Sequence, residues 1–317
     1  MRMGRLWRRM RFFAAGIVSV RSRFMNKLYA VMRLTRIEHS AMLAVAVIAA
    51  EALAGALRLQ GLHTLYIVLL SLLTPVLISM GSFAINDYYD VEADRLNRRS
   101  RPLTTGSLAR GDALLIAAIC LGAGAASAAA INLRAFAIAV LFASMAFLYS
   151  YKAKEMLLVG NAFIAISMAI PFIYGDFVFS TTLLPSVAYI ALMIFVAGIA
   201  REIHGMMRDY KGELKARRAR SIVRLIGADG SAALSLALYC AAITISIILF
   251  FYTRPFAHNM LYIVPIAAAD AMLAYVGVML LIKRTARAFD TGRNLSLLAM
   301  ALALLAVLLS ALFSIGV

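Results

Sequence analysis

Apolar residues in this sequence fall in long blocks, and polar residues are confined to the joints between them. The stretch LYIVLLSLLTPVLISMGSFAI, residues 65–85, carries no charge at all. Crossing the hydrocarbon of a bilayer as a helix takes about 20 apolar residues. That ruler predicts nine spans, at 39–58, 64–88, 112–131, 134–150, 157–175, 182–204, 230–252, 259–282 and 294–315. The expected fold is all-α, a polytopic membrane protein with nine transmembrane helices in a bundle around a central cavity. Small residues are plentiful, as in LGAGAASAAA (121–130) and ALALLAVLLSAL (301–312), which suits close helix packing in lipid. Two units are expected: a basic N-terminal segment, 1–36, and a single nine-helix domain, 37–317.

Composition agrees with the pattern. The 317 residues are 63% hydrophobic and 15% charged, whereas soluble domains run about 45–50% apolar and about 25% charged. The sequence therefore reads as an integral protein of the cell membrane. Its 32 Lys and Arg cluster at 1–36, 95–110, 152–154, 201–224 and 283–293, leaving only Arg58, Arg134 and Arg254 for the other side. This alternation is the positive-inside pattern. It predicts a cytoplasmic N-terminus, an external C-terminus and long loops in the cytoplasm. The opening MRMGRLWRRMRFFAAGIVSVRSRF has no small-residue cleavage site after its short apolar middle. It reads as a basic amphipathic segment on anionic lipid, or as an over-extended start ahead of Met25. Two cysteines, Cys120 and Cys240, lie in apolar blocks, and only four histidines occur, which argues against a haem or zinc enzyme. No nucleic-acid partner is expected.

The chemistry gathers where the second block ends, in NDYYDVEADRLNRRSRP (86–102). Asp87, Asp90 and Asp94 share a helical face, with Asn86 beside them. Like charges repel unless a cation sits among them. The plainer reading is a solvated helix end whose acids pair with Arg95, Arg98 and Arg99. A second cluster weighs against it. In AREIHGMMRDYKGE (200–213), Glu202, Asp209 and Glu213 also share one face, at the predicted end of the sixth span. Two carboxylate faces at one membrane depth can oppose each other across a cavity and hold Mg²⁺ with a substrate diphosphate, while neighbouring arginines take phosphate oxygens. The site is expected at the cytoplasmic side. A diphosphate held there leaves a lipid tail to run up between helices. If the tail is allylic, ionisation gives a carbocation that needs a dry pocket. Phe142, Met145, Phe147, Phe163, Met168 and Phe172 are candidates for its walls, although each is individually a packing residue first. Glu51 and Asp270 fall inside spans, where an ionisable group is either functional or an interhelical pair. A cation-coupled transporter is the rival reading, but such proteins place charge near the midplane. The motif order of CDP-alcohol phosphotransferases is absent.

These residues resemble the UbiA family of intramembrane prenyltransferases, in an archaeal-type member. NDYYDVEAD fits its NDxxDxxxD motif, and DRLNRRSRPLTTG continues as its tail through Asn97, Arg101, Pro102 and Gly106. LYSYKAKEMLLVGN resembles its LYS…K…GN loop, with Tyr149, Ser150, Lys154, Gly160 and Asn161, and AREIHGMMRDYKGE resembles its second acidic motif. The resemblance covers nearly everything after residue 30. It implies Mg²⁺-dependent transfer of an isoprenyl group from a polyprenyl diphosphate such as geranylgeranyl diphosphate. By position it assigns metal ligation to Asn86, Asp87, Asp90, Asp94, Glu202, Asp209 and Glu213, with Asp87, Asp90 and Asp209 as the catalytic residues. Asn86, Arg101, Lys154, Tyr149, Arg201 and Asn161 would bind the diphosphate. Glu213 stands where Asp is usual and Met206 where many relatives have another Asp. The first span opens RLTRIEHSAM where relatives often read R-P or R-x-H-N, and Arg36, Glu38, His39 and Ser40 are the acceptor-side candidates. That departure favours a 4-hydroxybenzoate-like quinone precursor as acceptor, with geranylgeranylglyceryl phosphate, an ether-lipid precursor, as the alternative.

Overall fold

The computed structural model describes residues 25–56, 61–96, 98–152, 156, 159–215, 222–283 and 285–313, with the side chains at 38, 39, 41 and 209–215 outside that description. Helices and turns make up the described residues, with no strand among them. A helix α1 (25–35) precedes α2 (Ile37–Leu53), α3 (Leu62–Leu96), α4 (Arg110–Ala129) and α5 (Leu133–Tyr151). Then follow α6 (Val159–Phe179), α7 (Pro185–Lys215), α8 (Ile222–Tyr252), α9 (Met260–Ile282) and α10 (Ala286–Phe313).

Eight of the described helices, α3 to α10, are long and apolar enough to cross a membrane. The first of the nine expected spans falls outside that set, with different bounds from those expected. In place of a span over 39–58 the protein forms α2, 17 residues ending at Leu53, where Gly55 turns the backbone at φ +88°. At about 1.5 Å per residue that helix is about 26 Å long. It leaves Ile37 and Met42 exposed and packs its other face. Ala46, Ala49 and Ala50 enter a core with Val187, Ile190 and Ala306, and Val47 joins Tyr174 and Val178.

The other departures lengthen helices at one end. The apolar block behind α3 stops near residue 88, yet the helix continues to Leu96, because NDYYDVEAD holds no Gly or Pro to break it. The acidic motif is thus presented on helical spacing beyond the apolar block. Likewise α7 runs to Lys215 and carries the second motif as helix. Helix α8 opens at Ile222, before its predicted start, and is interrupted at Gly227, whose φ of 72° leaves helical space.

Small residues set the helix spacing as the composition suggested. A Cβ at Gly124 would stand 2.9 Å from the Ile78 side chain, and one at Gly175 would stand 2.8 Å from the Val47 carbonyl. Helices α3 and α4, and α2 and α6, therefore approach with almost nothing between their backbones. Both cysteines are free, Cys120 buried and Cys240 exposed. The basic opening, residues 1–24, lies outside the described residues. Helix α1 buries Ala30 and Leu34 against Val91, Leu103 and Leu108 and leaves Met25, Leu28, Tyr29 and Met32 exposed.

Candidate active site

Three segments converge at the polar end of α3. Asp87 and Asp94 lie seven residues apart on its inner face, 2% and 4% exposed, with Val91 buried between them. Arg36, at the joint between α1 and α2, donates to Asp87 Oδ1 at 2.8 Å and lies over the Phe83 ring at 4.5 Å. Arg101 reaches both acids, 4.0 Å from Asp87 and 3.8 Å from Asp94, and Arg99 stands 3.5 Å from Asp94. The loop carrying these arginines braces itself. Thr104 Oγ1 accepts from the Arg101 amide and donates to the Arg99 carbonyl at 2.7 Å, while Leu103 and Leu108 sink into the apolar cluster below. From the other side Arg33 donates to the Ser100 carbonyl at 2.7 Å, tying α1 to the same loop.

The plainer reading of the acids survives for one residue. Glu92 is exposed and pairs with Arg95 at 3.4 Å and Arg110 at 3.5 Å, an ordinary surface arrangement. Asp90, on the same helical spacing, is less buried than Asp87 and Asp94. It accepts from Asn86 Nδ2 at 3.0 Å, and it stands within electrostatic reach of Tyr149, as do Glu202 and Arg36. Tyr149 on α5 therefore links the two acidic helix ends, α3 on one side and α7 on the other.

A cavity of about 410 Å³ opens beside Glu202, lined also by Asn161, Arg201, His204, Met206, Arg208 and Arg293. Asn161 donates to the Met206 sulfur at 3.1 Å, which joins α6 to α7. Below Tyr149 runs an aromatic ladder: Tyr149 stacks on Phe163 at 4.6 Å and Phe163 on Phe142 at 5.5 Å. Phe142 then borders a narrow apolar seam of about 30 Å³ among Leu43, Ile78, Ile138, Pro75, Pro171 and Tyr174. Two prolines interrupting α3 and α6 line the same seam. Of the other aromatic candidates, Phe147 faces outward with Tyr89 and Tyr151, and Phe172 is core.

The residues fit a hard cation. Asn86, Asp87, Asp90 and Asp94 offer oxygen only, and Asp87 Oδ2 is buried without a hydrogen-bond partner. Among the described residues no three His, Cys, Asp or Glu side chains group tightly enough to hold a metal unaided. The side chains of Asp209 and Glu213 lie outside that description, as do those of Glu38 and His39 and the whole of Lys154.

Two expectations are redirected by this geometry. Arg36, placed on the acceptor side by its sequence context, is fastened to Asp87, and Ser40 is fully buried and bonded to Ser79 at 3.2 Å. Sequence reasoning missed Arg208 and Arg293 as cavity residues. In the sequence Arg293 belongs only to a cytoplasmic basic run, and nothing near it marks a site. The two intramembrane acids sit among helices: Asp270 accepts from Ser246 on α8, and Glu51 is buried among α2, α3 and α6 with Oε1 unpartnered.

Comparison with known proteins follows the same lines. The UbiA prenyltransferase family model matches residues 42–298. A digeranylgeranylglyceryl phosphate synthase from Archaeoglobus fulgidus is 33% identical over 241 residues, which is 76% of this chain and 82% of that protein. A solved structure concerned with digeranylgeranylglyceryl phosphate synthase in membranes superposes at TM-score 0.75 and 24% identity, covering 90% of this chain and 98% of its own. A UbiA homologue from Archaeoglobus fulgidus bound to GPP and Mg²⁺ shares the fold at TM-score 0.58 and 17% identity, over 88% and 99% of the two proteins. The transporter reading is thereby set aside, and the chain belongs to the UbiA prenyltransferase family as an integral membrane enzyme.

Proposed function

We propose that this enzyme transfers a geranylgeranyl group from geranylgeranyl diphosphate to the free hydroxyl of geranylgeranylglyceryl phosphate. The support for this acceptor is the relatives named as digeranylgeranylglyceryl phosphate synthases, among them a second, from Pyrococcus furiosus, 35% identical over 147 residues. The expectation of a quinone-precursor acceptor loses its footing. It rested on the departure around RIEHS, and in that stretch Arg36 serves the carboxylate of α3.

The observation that supports the chemistry is that Tyr149 lies within electrostatic reach of an acid from each helix end, Asp90 on α3 and Glu202 on α7. Asn86, Asp87, Asp90 and Asp94 on α3, with Glu202, Asp209 and Glu213 on α7, would hold Mg²⁺. When bound, that ion supplies charge neutralisation for the departing diphosphate. Arg101 and Lys154 would take phosphate oxygens directly, and Arg36 holds Asp87 in place. The C1–O bond of the donor breaks as the acceptor oxygen bonds C1, and the hydroxyl proton passes to the released diphosphate. Phe163 and Phe142 line the way for the allylic tail, with polarisable ring faces and little water beside them.

The tail length is in proportion. From Asn161 to Tyr174 is thirteen residues of α6, about 20 Å at the helical rise. A geranylgeranyl tail, counted along its longest carbon path, has about fifteen bonds of about 1.5 Å, whose zigzag reaches about 19 Å. The walls of the seam must part to admit it, and Pro75 and Pro171 stand where they would part. The positive-inside distribution supports a cytoplasmic mouth, with the N-terminus inside and the C-terminus outside, as our reading of the orientation.

Membranes containing the enzyme, incubated with labelled geranylgeranyl diphosphate and a panel of acceptors, test the reading. Label is expected in digeranylgeranylglyceryl phosphate, and chelation of divalent metal should abolish it. Label in 4-hydroxybenzoate alone, or transfer that survives chelation, would overturn it.

A further inference from the structure

The apolar seam beside Phe142 has an end, and two helices place it at the same depth. On α6 Tyr174 lies thirteen residues beyond Asn161, and on α3 Thr74 lies thirteen residues before Asp87, each about 20 Å from the polar mouth at the helical rise. Both residues line the seam. Towards the mouth its walls are apolar almost throughout, with Phe142, Ile78, Ile138 and Ile170 among them.

The residues at and past this level are of another kind. Thr74 Oγ1 and Ser127 Oγ share a hydrogen bond of 2.7 Å between α3 and α4. One turn deeper Ser71 is fully buried, and near it Glu51 of α2 is buried with Oε1 unpartnered. The buried Tyr174 hydroxyl lies near Thr74 and within electrostatic reach of Glu51. Deeper still, Asn132 in the turn between α4 and α5 donates to the Phe177 and Val178 carbonyls at 3.0 and 3.1 Å, which ties that turn across the end of α6. The Tyr174 ring is also held in place. It is 4% exposed and packs with Val47, Ala139 and Val178. The next residue, Gly175, keeps α6 so near α2 that a Cβ would meet the Val47 carbonyl at 2.8 Å.

This order of layers decides how far a hydrocarbon tail can go. One isoprene unit more than geranylgeranyl adds about four bonds, or about 5 Å. Its carbons would have to displace a buried ring and then lie against a carboxyl group and hydroxyls to which they offer no hydrogen bond. We infer that Tyr174 is the stop that sets the length of the donor tail, and that the polar layer behind its ring makes the far side unfavourable for hydrocarbon. This rests on the donor and the tail path proposed above, and it names the residue that selects that donor.

Equilibrium binding of prenyl diphosphates to the full-length protein in nanodiscs, with Mg²⁺ and without acceptor, tests the stop apart from the acceptor. Wild-type protein should bind geranylgeranyl diphosphate at least about tenfold more tightly than geranylfarnesyl diphosphate, one unit longer. Tyr174→Ala should bring the two within about twofold, whereas Tyr174→Phe, which keeps the ring, should retain the preference. Each result is a ratio within one preparation, so any loss of folded protein cancels. Ile170→Trp supplies an independent test. It narrows the seam four residues nearer the mouth, about 6 Å, and should turn the preference to farnesyl diphosphate. A Tyr174→Ala ratio equal to that of wild type, a wild type indifferent to length, or an Ile170→Trp protein that still prefers geranylgeranyl would overturn the stop and leave the transfer reaction standing. Wild-type protein that prefers a donor of another length, with the preference lengthened by Tyr174→Ala, would end the geranylgeranyl assignment and leave the stop standing.

Discussion

A single helical end carries both buried acids and an exposed one. Asp87 and Asp94 are buried against arginines, Asp90 lies within electrostatic reach of Tyr149, and Glu92, between them in sequence, is exposed. Asp90→Ala is therefore expected to lower kcat/KM for prenyl transfer by at least about 10²-fold, the scale for losing a metal-site ligand or its support. Glu92→Ala should stay within about twofold, because exposed pairs contribute little. Turnover of labelled donor in membranes compares the two. The spacing of the three aspartates was legible in the sequence, because a helix fixes which residues share a face. Their partners were not. Arg36 meets Asp87 across 51 positions, and Arg293 on α10 lines the same cavity as Arg201 on α7. Such pairings are made by packing and leave no local pattern.

At the scale of helices, hydropathy located the apolar blocks but not their true ends. The acidic motifs continue as helix because nothing in them breaks one, whereas the first apolar block ends early at Gly55. What sets the distance between helices is a few glycines. Gly175→Val would force a side chain into the Val47 carbonyl, an overpacking that costs about 1–3 kcal/mol. A lowered midpoint of thermal unfolding in detergent should report it. Gly122→Ala, which meets open space, should leave that midpoint unchanged or slightly raised.

For the molecule as a whole, the proposed orientation rests on the distribution of charge. After replacement of Cys120 and Cys240, a cysteine introduced at Arg254 should react with a membrane-impermeant maleimide in intact cells. One introduced at Lys152 should react only after lysis, and the reverse result would invert the topology. The left-handed joint at Arg36, with φ 47° and ψ 53°, carries a consequence of its own. The guanidinium at that hinge is also the latch on Asp87, so the helix 25–35 is moored to the acidic end of α3. Cutting the mooring should be felt far from the chemistry. Asp87→Asn is expected to speed amide hydrogen exchange across 25–35 while leaving α9 as protected as before. Exchange in that first helix thus serves as a gauge of whether the Asp87 carboxylate is held or released.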